Sequence, residues 1–119
     1  MNVTERTIGK VLDWLGFPNE LVGRHYLEDM ILERAYYESE EWDPVYTNMV
    51  RNVAYLNEVD ENSIRRGVRS YVAKTIERLP YEFPRDKAIL LKMLGSVPIA
   101  YQTELIFTLI KNTEEEDYE

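Results

Sequence analysis

Cysteine is absent from the 119 residues, which excludes disulfides and thiolate metal sites and is compatible with a reducing cytoplasm. Histidine occurs once, as His25, with only Glu28, Asp29 and Glu33 near it in sequence. A metal centre draws on three or four ligands, so no metal is expected. The four serines are scattered, and a nucleophile among them would depend on that single histidine as its base. No glycine-rich phosphate loop is present. Paired carboxylates such as Glu40 and Glu41 lie in an acidic stretch without an apolar pocket to shift a pKa. An enzyme is therefore not expected, and no catalytic residue or cofactor is assigned. Long apolar runs are lacking too: the longest, at residues 88–91 and 105–110, fall far short of the roughly 20 residues that span a bilayer. Glu5 and Arg6 charge the N-terminus and no apolar stretch follows them, so no signal peptide is expected. The expectation is a soluble cytoplasmic protein with no membrane partner.

What is present is acid. Net charge is −8, which alone argues against nucleic acid as a partner. Placement matters more than the sum, because exposed charges more than about 8–10 Å apart are largely screened at cellular salt. Residues 28–43 hold seven acids and one base, and residues 114–119 hold five acids and no base. These read as a solvated face and a frayed tail. Residues 62–74, in contrast, contain Arg65, Arg66, Arg69 and Lys74 and no acid.

No sustained apolar/polar alternation of the kind a half-buried strand needs appears, and five prolines and five glycines punctuate helical patterns. The spacing predicts an all-α, compact bundle of about six helices in one domain, residues 1–112, followed by an acidic disordered tail, residues 113–119. The first helix is expected over 3–15, opened by a capping-box-like Asn2 and Glu5 and closed by Gly16 in the left-handed conformation. Ile8, Val11, Leu12 and Leu15 form its buried stripe. The second covers 24–37 around Leu27, Ile31 and Ala35, flanked by Met30 and Leu32. Pro44 suits the first turn of a third helix, whose apolar face is Val45, Met49, Val53 and Leu56. After a turn at 57–59, Asp60 caps a fourth helix that reaches Leu79 and is ended by Pro80 and Pro84. A fifth is expected over 85–94, stopped by Gly95, and a sixth over 99–111 with Leu105, Ile106 and Leu109 inward. The nine tyrosines leave two readings open. Tyr36, Tyr37 and Tyr46 form a partner surface, or the rings are buried with wet hydroxyls.

The fourth helix carries the functional argument. At 100° per residue, Ile64, Val68, Tyr71, Val72, Thr75 and Leu79 share a core face. Asn62, Arg66, Arg69, Ser70, Ala73 and Glu77 fall opposite, with Arg65 and Lys74 on the flanks. Helix-turn-helix proteins present this first half of the second helix to base edges, and an arginine fork can pair bidentately with guanine for roughly 1–3 kcal/mol of discrimination. Arg66 and Arg69 are the base-reading candidates, with Asn62 and Ser70 assisting. Arg65 and Lys74 are placed on phosphates, which give affinity and register. Three arginines can equally solvate an exposed face or pair with a neighbour's acids. Gly67, at a cost of about 1 kcal/mol in a helix interior, points to close contact with another helix.

Three stretches share an order seen elsewhere. Leu15, Gly16, Pro18, Gly23, Tyr26, Leu27 and Ile31 form the first; Val53, Ala54, Ile64, Arg66, Val68, Arg69 and Val72 the second; Pro98 with Thr103, Glu104, Leu105 and Ile106 the third. In these the chain resembles the C-terminal DNA-binding effector domain of the master response regulator of sporulation initiation in endospore-forming bacteria. Arg66 and Arg69 match that family's two recognition-helix arginines. Arg65 stands where the family has glutamate, Ser70 where it has histidine, and Val50 and Arg51 where it has Tyr-Pro. Residues 80–95, near where the family meets RNA polymerase, show little match. The resemblance implies a stand-alone effector-like domain without a phospho-aspartate switch, acting as a sequence-specific transcriptional regulator. Its partners would be double-stranded DNA and, by the same analogy, RNA polymerase. One domain buries little DNA, so tight binding would call for tandem sites or a homodimer. The other reading is a protein-interaction module on the same fold that has lost DNA binding, favoured by the −8 charge and the acids of residues 28–43. The acidic tail folding back on the arginine face is a further expectation.

Overall fold

The computed structural model describes residues 3–19 and 22–112; the expected tail and the residue Asn2 lie outside them. Six helices follow one another: α1 (Glu5–Trp14), α2 (Val22–Ser39), α3 (Tyr46–Leu56), α4 (Glu61–Glu77), α5 (Arg85–Gly95) and α6 (Ile99–Lys111). The protein is all-α, with no strand among the described residues. No helix among them is long and apolar enough to cross a membrane.

Local chemistry sets the helix ends. The start of α1 is capped by Thr4, two residues later than the expected cap. The Thr4 hydroxyl accepts from the Thr7 N–H at 3.2 Å, and the Thr7 hydroxyl accepts from the Thr4 N–H at 2.8 Å. A threonine does here what glutamate does in the usual box. At the other end Gly16 takes φ +92. Its N–H donates to the Asp13 carbonyl and the Phe17 N–H to the Leu12 carbonyl, so a Schellman motif ends the helix as expected. The same pair of bonds closes α2 at Glu41 and α3 at Glu58. Both are non-glycine residues held at positive φ, 58° and 56°.

Helix α2 starts earlier and ends later than its apolar stripe suggests, and two of its arginines, Arg24 and Arg34, are buried with partners. It runs through the middle of the molecule and packs against α1, α3, α4 and α6. Pro44 lies just outside α3, whose N-cap is Val45 in extended conformation. The buried face of α3 is Met49, Val50, Val53 and Ala54, while Val45 is 43% and Leu56 67% exposed. At about 100° per residue those four span one arc of roughly 140°, and Leu56 falls some 20° beyond its rim. Val50 and Ala54, not Val45 and Leu56, complete that face. Leu105 on α6 is likewise 45% exposed, whereas Ile106 is buried. Gly95 is the last residue of α5, not a stop ahead of it.

Two clusters of buried side chains make the core. The larger joins α1, α2, α4, α5 and α6 around Leu12, Leu27, Val68, Leu91 and Phe107. The smaller joins α2, α3 and α4 around Met30, Met49, Val53 and Ile64. Helices α2 and α4 touch almost backbone to backbone. A methyl group on Gly23 would lie 2.4 Å from Tyr71 Cβ and 2.6 Å from the Gly67 carbonyl oxygen, and one on Gly67 would lie 2.7 Å from Tyr26 Cδ2. That is the close contact Gly67 announced.

Candidate nucleic-acid interface

Helix α3 and helix α4 are joined by the four residues from Asn57 to Asp60. Each holds the turn in place. The Asn57 amide donates to Asp29 Oδ2 at 2.9 Å and to the Val53 carbonyl at 2.8 Å. Glu58 makes the left-handed step. Val59 packs on the smaller core cluster, and its N–H donates to the Ala54 carbonyl at 3.0 Å. Asp60 caps α4 by accepting from the Ser63 N–H at 2.7 Å. Those Ser63 bonds, with the charge of Arg66 added, hold the Asp60 carboxyl below its ordinary pKa.

With Ile64, Val68, Tyr71, Val72 and Thr75 buried, the opposite side of α4 faces solvent. Asn62, Arg66, Arg69, Ser70 and Lys74 are exposed, and Arg65 is partly buried. Arg66 Nε donates to the Asn62 carbonyl at 3.4 Å. Arg65 approaches Glu61 at 3.9 Å, the outer limit of an ion pair. Among the described residues no carboxylate pairs with Arg66, Arg69 or Lys74. The guanidinium groups of Arg66 and Arg69 are therefore not locked in ion pairs, although the Arg66 charge reaches the Asp60 carboxylate that caps the same helix.

The six candidates share one helix but not one direction. Arg65 and Arg69 line a cleft closed on its far side by Val97, Pro98, Ile99 and Gln102 at the start of α6. Ser70 and Lys74 line a shallow hollow against Val22 and Gly23 of α2. Asn62 and Arg66 border neither.

Other groups position this surface. Arg34 of α2 donates to Glu104 through Nε at 2.7 Å and Nη2 at 3.2 Å, and to Glu38 at 3.0 Å. Its guanidinium stacks 4.5 Å from the Phe107 ring centre. The Tyr46 hydroxyl, at the start of α3, donates to the same Glu104 carboxylate. One arginine thus ties α2, α3 and α6 together. Burial works to raise the Glu104 carboxyl, but the bonds from Arg34 and Tyr46 outweigh it, and its pKa lies below the ordinary value. Burial, and then the Glu104 charge, push Tyr46 up to about 12. Arg24 does the same for the other end of α2. It bonds Glu28 and Asp13, each at 2.8 Å, and the carbonyls of Phe17 and Gly9. The acids of residues 28–43 are accordingly not only a solvated face, since Glu28, Asp29 and Glu38 all hold partners. Both arginines bond an acid one turn on in α2, Arg24 with Glu28 and Arg34 with Glu38. That i, i+4 spacing was the available signal, hidden by a charged composition that reads as surface. Tyr37 is buried, while Tyr36 is exposed and stacks edge-on against Trp42.

His25 is exposed and lies 3.4 Å from Asp29, and no group of three potential metal ligands occurs among the described residues. No family model, no curated protein and no solved structure matches the chain.

Proposed function

We propose that the chain is a bacterial cytoplasmic transcriptional regulator that binds double-stranded DNA, with α3, its turn and α4 serving as a helix-turn-helix. The observation that carries this reading is the outward face of α4, where Arg66 and Arg69 stand exposed and make no ion pair among the described residues. Arginine left unpaired beside a close-packed helix is suited to an anionic polymer, and the short Ser70 and Ala73 let the helix axis approach a groove. Helix α4 enters the major groove and α3 lies across it. The ordered resemblance to the sporulation-initiation effector domain supports the same assignment.

The test is an anisotropy titration of the full chain against a random duplex pool at two salt concentrations. Affinity that falls steeply with salt and is weakened in Arg66→Ala supports the reading. Binding that ignores salt, or is not weakened at all in Arg66→Ala, defeats it. A second reading, a protein-interaction module, is favoured by the apolar groove that exposed Leu90, Met93 and Leu105 line between α5 and α6 and by the net charge of −8. Failure of every duplex to bind at low salt would leave that module as the standing reading.

A further inference from the structure

The cleft between α4 and the start of α6 separates the two exposed arginines. Arg69 lines it together with Arg65, one turn away on the same flank, whereas Arg66 does not. Its volume is about 130 Å³, room enough for a small solvated anion. Like charges at i, i+4 repel one another along a helix, and only Glu61, 3.9 Å from Arg65, offers partial relief. Gln102 forms part of the cleft wall and is 3% exposed. Its Nε2 donates one proton to the Leu94 carbonyl at 2.8 Å. The second amide proton has no partner among the described residues. A buried polar group left so is unusual, and Gln102 is one of the residues lining the cleft that Arg65 and Arg69 flank. No side chain caps the start of α6, so its first-turn N–H groups add to the same field.

We propose that this cleft binds one phosphate group, held by the guanidinium groups of Arg65 and Arg69 and the free amide proton of Gln102. The inference deepens the DNA-binding reading and rests on it for the source of the phosphate. It reassigns Arg69 from base edge to backbone and leaves Arg66 as the arginine that reads sequence. The ligand chemistry is a phosphate oxyanion, whether in a duplex or free.

Two measurements test it. In the first, the isotopically labelled full chain is titrated with inorganic phosphate at constant ionic strength, with chloride as control, and followed by NMR. The Gln102 side-chain amide and the backbone amides of Ile99 and Ala100 should shift saturably with phosphate and not with chloride, and the shifts should vanish in Arg69→Gln. No shift, or an equal shift with chloride, overturns the site. In the second, duplex affinity is measured across salt for the wild type, Arg69→Gln, Arg69→Lys and Arg66→Ala. Arg69→Gln should weaken all duplexes alike and lower the slope of log K against log salt by about 0.9. Arg69→Lys should restore that slope, because a point charge serves a phosphate but not a bidentate base contact. An unchanged slope with relaxed preference at one base pair overturns the reassignment. Saturable phosphate shifts in a chain that binds no duplex would keep the cleft as a phosphate-ester site and overturn the DNA reading alone.

Discussion

Replacing Gly23 by alanine puts a methyl carbon 2.4 Å from Tyr71 Cβ and 2.6 Å from the Gly67 carbonyl oxygen. Neither atom is the far end of a flexible side chain, so α2 and α4 must separate for the methyl to fit. Overpacking of this kind costs about 1–3 kcal/mol. The gain in helix propensity from glycine to alanine is at most about 1 kcal/mol and does not cover it. A net loss of about 1–2 kcal/mol follows, which in a domain of this size lowers Tm by roughly 3–10 °C. Gly67→Ala provides the internal comparison. There the methyl meets only the edge of the Tyr26 ring, at 2.7 Å and 3.0 Å. That half-buried ring can swing away, and the propensity gain offsets most of the cost, so Tm should move by less than about 4 °C. Thermal melts followed by circular dichroism, with urea midpoints as a check, give both numbers. A Gly23→Ala variant more stable than wild type, or less affected than Gly67→Ala, would refute the close approach of α2 and α4.

Three further outcomes follow from the same geometry. Glu104→Gln should lose stability by about 1–2 kcal/mol, a bond to charged Arg34 discounted for the 38% exposure of the Glu104 side chain. Because the folded-state pKa of Glu104 is depressed, its contribution is complete above the ordinary value of 4.5 and is lost as pH falls through the folded value. Urea midpoints measured from pH 6 downward should therefore converge for wild type and Glu104→Gln on the acid side; parallel curves would dismiss the linkage. Tyr46→Phe should remove a tyrosine that ionises near 12 from the ultraviolet titration of the folded protein, and a spectrum unchanged at that pH would contradict the Glu104 contact. Glu58→Gly should stabilise by about 0.5–1 kcal/mol, since a non-glycine residue at φ 56 carries roughly 1–2 kcal/mol of strain, partly offset by glycine's greater freedom when unfolded; a destabilised variant would count against the turn as described.

Much of the fold was legible where the signal is local. Gly16 after Leu15 and Asp60 before Ser63 are cues whose physics acts within one turn, and the structure honours both, whereas α4 stops at Glu77, two residues short of the expected Leu79. The core face of α4 was legible for the same reason, since a 3.6-residue period needs no knowledge of what lies opposite. Failures came where a distant partner decides. Arg34 reads as a surface residue until Glu104 and Phe107, some 70 positions later, close over it. Val45, Leu56 and Leu105 read as core because they are apolar, yet the neighbouring helices do not reach them. The candidate surface divides the same way: its residue types were visible on the wheel, but the cleft needs Pro98 and Gln102 from another helix.

The meeting of Gly23 and Gly67 has a consequence for recognition. With no side chains to act as cushions, α4 is clamped at mid-length in a single roll and tilt, and its arginines are aimed before any ligand arrives. Adjustment on binding would then fall to the ligand; under the proposed DNA-binding function the most deformable duplexes would be preferred even at base steps the protein never touches. Association should also show little of the heat-capacity change that accompanies coupled folding.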